Sequence, residues 1–189
     1  MLKTKLLTVL LIAGATMFSA CSTTQPEVKE SIADCSIEGV EAPSWICNPK
    51  MEGKLVDIGT SVKSQLGYPF MQKKAMANGR GNLSQQITVL VKDKVETFMK
   101  STGIGENETV DTVSTMVSKQ TSKTTLTGSS QLKVWTSPGN TLYLLVGIDK
   151  KEVINSAKRN LKSSFKNDSA LWQQFQSENA LDKLEEDFN

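Results

Sequence analysis

The sequence predicts an α+β fold: a small antiparallel sheet, one strand plus a long hairpin, with a long helix and C-terminal helices packed on one face. Three stretches carry that prediction. Phe70–Met99 places apolar residues at Met76, Leu83, Ile87, Leu90, Val91, Val95 and Phe98, mostly three or four apart, the spacing of one helix face. Leu126–Ile148 reads as two strands around Ser137-Pro138-Gly139-Asn140. Leu55–Val62 is a shorter alternating run that supplies the third strand.

The chain begins with Lys3 and Lys5, an apolar run from Leu6 to Phe18, then Ser19 and Ala20 directly before Cys21. A positive start, a short apolar middle and a small-residue end are the parts of a secretory signal peptide, assigned to residues 1–20. The run is about 13 residues, roughly 20 Å as a helix, too short for a bilayer core of about 30 Å. Phe18-Ser19-Ala20-Cys21 resembles a bacterial lipobox, with Phe18 where leucine is commoner. That resemblance implies lipidation of the Cys21 thiol, cleavage before it, and acylation of the new amine by a palmitate-type chain. The alternative is an ordinary cleaved signal peptide that leaves Cys21 free. Several acyl chains anchor stably where one does not, at roughly 0.8 kcal/mol per buried CH₂. Ser22 matches the outer-membrane sorting pattern of lipoproteins. Residues 21–34 read as the lipidated tether, whose mostly polar stretch of twelve residues from Ser22 to Ala33 reaches at most about 40 Å when extended.

Charge and composition remove several functions. The 22 basic and 20 acidic residues become 20 and 20 once Lys3 and Lys5 leave with the signal peptide. A neutral chain with no basic block argues against nucleic acid and against electrostatic binding to anionic lipid. There is no histidine, which excludes Ser-His-Asp and Cys-His triads and histidine-ligated zinc. No cofactor, metal or catalytic residue is expected. If Cys21 is lipidated, Cys35 and Cys47 remain as a pair in an oxidising compartment, where a disulfide is the default and two free thiols the alternative.

The remaining elements follow in order. Residues 35–166 form the α+β domain. Cys35–Pro49 is an irregular lead-in in which Trp45 is expected to plug one end of the core rather than stack on a ligand. The predicted long helix contains Gly79-Arg80-Gly81 and spans roughly 45 Å, so it either kinks there or projects beyond the sheet. Those glycines sit inside a helical pattern, so they are no phosphate loop. Ala75, Ala77, Gly79 and Gly81 are instead expected to let another backbone approach. Asn107–Lys123 reads as a shorter helix despite nine serines and threonines from Thr109 to Thr125. Pro138 and Gly139 occupy the central places of a type II turn. Asp149-Lys150-Lys151-Glu152 is an acidic capping box that starts a helix with Val153, Ile154, Ala157, Leu161 and Phe165 on one face. Asn167-Asp168 breaks it, and residues 167–189 carry a last helix. A three-stranded sheet leaves a second face and two edges that invite another copy.

The chain resembles the LPP-twenty family of bacterial outer-membrane lipoproteins over roughly residues 42–150. The matching pieces are Cys21; Ala42-Pro43-Ser44-Trp45 with Asn48-Pro49; Asp57-Ile58-Gly59; Ala77, Arg80 and Leu83; and Leu126-Thr127-Gly128 to Trp135 with Thr141-Leu142-Tyr143. The family includes a lipoprotein that forms rings around the flagellar basal body. The resemblance implies an outer-membrane, periplasm-facing lipoprotein that works as a non-enzymatic assembly or binding module. Its expected partners are the membrane, through the lipid, and further copies of itself or an envelope protein. A lipoprotein that activates a peptidoglycan synthase is the alternative. An enzyme would have to rest on Glu106/Glu108 or Glu185/Glu186, pairs with no evident buried setting.

Overall fold

A computed structural model describes residues 35–166 and 169–177. The expected signal peptide, Cys21, the tether, the break at Asn167-Asp168 and positions 178–189 lie outside the described residues. The elements are β1 (Ser36–Ile37), β2 (Val40–Glu41), α1 (Ser44–Cys47), β3 (Lys54–Ser61), α2 (Tyr68–Thr102), α3 (Asn107–Thr125), β4 (Ser130–Thr136), β5 (Leu142–Asp149), α4 (Lys150–Lys166) and α5 (Ser169–Ser177). β3, β5 and β4 form the main sheet in that order, all antiparallel. This is the α+β arrangement expected from the sequence.

β5 is the central strand, which explains its nearly unbroken apolar run. Leu142, Leu144 and Val146 meet α2, while Leu145 and Tyr143 belong to a cluster on the opposite side. β3 lies so close to α2 that neither can carry a side chain at the crossing. A Cβ on Gly59 would stand 2.0 Å from the Ala75 carbonyl oxygen and 2.6 Å from the Gly79 nitrogen. The small-residue expectation therefore holds for Ala75 and Gly79. Ala77 and Gly81 are exposed instead, because residues two apart on a helix face nearly opposite ways.

α2 runs unbroken through Gly79–Gly81, and its far half does not stand free. Its buried residues are Met71, Ala75, Gly79, Leu83, Ile87, Val91, Val95, Phe98 and Met99. Steps of four overshoot a 3.6-residue turn by about 40° each, so the buried line winds around the helix. The first half faces the sheet. The second half faces α3 and α4 in a separate core with Val117, Leu161 and Phe165. Winding removes the need for the kink that the sequence left open.

α3 is a helix in spite of its hydroxyls, several of which donate to carbonyls of the preceding turn. Ser118 donates to Thr115 O at 3.0 Å, and Thr125 donates to Thr121 O at 2.8 Å. The small side chains also let α3 approach α2, where Ser84 and Ser122 hydroxyls meet at 2.8 Å. The helical path then continues past its expected end. Leu126–Gly128 forms a 3-10 turn, so β4 starts at Ser130 rather than at Leu126. Arg80 fixes that junction, donating to Ser129 Oγ at 3.0 Å and to Ser129 O at 3.2 Å.

The β4–β5 turn also differs from expectation. Gly139 is not in the left-handed region that a type II turn requires; Asn140 is, with φ 63°. Asn140 N donates to Ser137 O at 2.9 Å, so the left-handed residue is the one that closes the turn, not one of its two central residues. At the far end β5 enters α4 directly, and the Asp149 carboxylate pairs with Lys54 across the strands.

Candidate functional site

The lead-in segment builds the second face of the sheet. Glu38-Gly39 takes positive φ at both residues, 53° and 78°, the pattern of a two-residue hairpin turn. It joins β1 to β2, with Ile37 opposite Val40. Chain direction then reverses into α1, and a disulfide links Cys35 to Cys47 with Cα atoms 5.8 Å apart. This closure presses Trp45 onto Val56 and Leu145, with Trp135 and Tyr143 at the margin. Trp45 is a plug, as the sequence suggests, but it covers the sheet's second face rather than the end of the core.

A carboxylate ties this segment to the rest. Glu38 Oε1 accepts from Ser137 Oγ at 2.9 Å, and its other oxygen accepts from Gly139 N in the β4–β5 turn. A Cβ at Gly139 would stand 2.7 Å from Glu38 Oε2, so a side chain there would push the carboxylate out of its place. The latch between the two hairpins was not anticipated from the sequence. The only signal for it was a Glu-Gly pair between two short alternating runs.

Between the lead-in hairpin and β4 lies an open recess of about 870 Å³, lined by Cys35, Ser36, Glu41, Pro43, Ser44 and Trp135. The half-buried Trp135 ring packs on Tyr143 at 5.5 Å between centroids, tilted by 51°. One wall is therefore aromatic and stiff, and the other carries a carboxylate and a hydroxyl. Such a surface suits contact with a polypeptide.

The sheet edges are less inviting than expected. On β3, Ile58 N donates to Asp57 Oδ1, Thr60 N donates to Asn78 Oδ1, and Ile58 O accepts from Asn82 Nδ2, all within 2.9 Å. These side chains occupy the outward backbone groups that a further strand would use. β4 carries a register irregularity between Gln131 and Lys133, another edge-blunting device.

The other candidate residues are dispersed. Glu106 sits at the N-cap position of α3 and Glu108 in its first turn, where negative charge suits the helix dipole. Glu185 and Glu186 lie outside the described residues. Among the described residues Lys92 has a displaced titration. The Asp111 carboxylate, hydrogen-bonded at 2.9 Å, holds its ammonium above the ordinary value of 10.5, with Glu96 adding to the effect. Among the described residues no helix is long and apolar enough to cross a membrane.

A disulfide-braced α+β module with a surface recess is the class that the fold defines. The family assignment is narrower. Residues 43–149 match the LPP20 lipoprotein family, and the chain belongs to it. The matched span runs from the Trp45 plug to the end of β5, so it contains the complete main sheet and both long helices. No curated protein and no solved structure matches the chain. The family makes it a membrane-anchored envelope lipoprotein.

Proposed function

We propose that the protein is anchored to the outer membrane through Cys21, faces the periplasm, and acts without catalysis as a docking module. Its partner is an envelope protein or further copies of the same chain. The observation that carries this reading is the recess beside Trp135, held rigid on one side by the disulfide and on the other by the Glu38 latch. Preorganised aromatic surface binds at low ordering cost. The blunted edges of β3 and β4 favour docking through this recess over strand addition.

The test uses the full chain in cells. A photo-reactive side chain in place of Ser44, on the recess rim, is compared with one in place of Met116 on α3. Specific capture of one protein from Ser44 alone supports docking, and its mass separates self-assembly from a flagellar component or a peptidoglycan synthase. Equal labelling from both positions counts against it. Cys21→Ser followed by fractionation tests the anchor separately.

A further inference from the structure

The structure points to a second membrane contact. We propose that the Val62–Phe70 segment, the loop after β3 together with the first turn of α2, inserts its apolar side chains into the headgroup boundary of the bilayer that holds the lipid. The proposal rests on the membrane-anchored reading above and adds a named surface to it.

The loop exposes large apolar groups in succession. Val62 is 63% exposed, Leu66 70%, Tyr68 50% and Phe70 42%. They are held outward by a formed turn. Gly67 N donates to Ser64 O at 3.2 Å, Leu66 N donates to Ser64 Oγ at 3.2 Å, and Met71 N donates to Gly67 O at 3.2 Å. Val40 and Val134 are exposed in the neighbouring hairpins, whereas Val89 and Met116 stand apart on α2 and α3. A concentration of exposed apolar side chains at one site marks an interaction surface.

The position of the loop identifies the occupant. Ser61 pairs with Leu142, so the loop leaves the sheet beside the β4–β5 turn. The lead-in hairpin is latched to that same turn through Glu38. Cys35, where the chain from Cys21 enters the described fold, lines the recess with Trp135, two residues before the turn. Cys35, the first described residue, and the apolar segment therefore share one end of the sheet.

Charge agrees. No Asp or Glu occurs between Asp57 and Asp93, and Lys63, Lys73 and Lys74 lie in or close after the segment, against Glu38 and Glu41 on the neighbouring hairpin. α2 begins with no acid in its first turn, and Lys73 and Lys74 follow close to its positive dipole end. The helix forgoes a stabilising charge there, and the loop end becomes attractive to anionic headgroups. Leu, Phe and Tyr flanked by Lys is the composition of interfacial segments. Neutrality of the whole chain conceals this local excess.

The experiment uses the full lipidated protein in vesicles of phosphatidylethanolamine and phosphatidylglycerol. A benzophenone side chain replaces Leu66, Phe70, Val89 or Ser22 in turn. Lipid adducts from Leu66 and Phe70, and none above background from Val89, support the proposal. Adducts from Ser22 but not from Leu66 or Phe70 overturn it and leave the lipid anchor intact. Adducts from none of the four overturn the anchor and the loop together. Capture of a second copy at Leu66, in place of lipid, assigns the loop to self-association and also overturns the proposal.

Discussion

At the Lys54–Asp149 end of the sheet, β5 passes Ile148 into a layer where Phe98, Leu161 and Phe165 are fully buried between α2, α3 and α4. At the opposite end, past Ser61 and Leu142, residues of the same chemistry stand in solvent on the Val62–Phe70 loop. α2 connects the two ends, and its first turn belongs to one and its last to the other. Apolar residues at the first end fold the chain. At the second they are available for binding, because the sheet below them already has a core of its own.

The sharpest test of that division is the same substitution at each end. Phe98→Ala should cost about 3–5 kcal/mol, the range for emptying an aromatic site in a packed core. Phe70→Ala should change stability by no more than about 0.5 kcal/mol, as surface substitutions do. Chemical denaturation of the full-length protein measures both. A large loss at Phe70 would mean that the loop is structural and that the contrast is false.

Next in size is the crossing of β3 and α2. Gly59→Ala sets a methyl against backbone on both sides, with the Ala75 oxygen 2.0 Å away. Neither side can yield by a rotamer change, so the cost should reach about 3 kcal/mol, the upper part of the overpacking range. Wild-type stability in this variant would show that α2 and β3 can separate freely.

The second face depends on its braces. Replacing Cys35 and Cys47 together by serine should cost about 2–3 kcal/mol, given the 12-residue separation of the bridge. Trp45 fluorescence should shift toward that of an exposed indole before the rest unfolds. Glu38→Gln keeps the shape but weakens the charge-assisted bonds to Ser137 and Gly139, a loss of about 1 kcal/mol. If Trp45 stays buried in both variants, the face is held by packing alone.

Much of this architecture was legible in the sequence, and the gaps have physical causes. The hairpin of β4 and β5 and the length of α2 followed from period-two and helical spacing. The covering of α2's far half did not, because a line of contacts that winds from sheet to helices reads as one broad stripe. β4 began late because hydroxyls on Thr127 and Ser129 capped carbonyls of the preceding turn, which no alternation pattern records. The Glu38 latch joins residues about one hundred positions apart, and a lone exposed glutamate gives no sign of such a partner. The exposed apolar end was hidden for a different reason. Charges cancel over the whole mature chain, whereas the acid-free interval is 35 residues long and only its sheet-end portion reaches the loop.

The smallest expected effect lies on the surface of the helical end. Lys92 is paired with Asp111 and Glu96, and its ammonium is held above the ordinary 10.5. A group whose folded value is raised adds stability that is complete below 10.5 and is lost as pH climbs through the raised value. Lys92→Met should therefore leave a pH-independent difference from wild type near neutrality and a narrowing one in alkali. Because the pair is solvent-facing and screened, the difference should be slight and should shrink further in high salt. Denaturation midpoints of both proteins, followed from neutral into alkaline buffer, measure it. A difference that stays level beyond 10.5 would mean that Lys92 contributes through its methylene stem packed on α2 and α3 rather than through its charge.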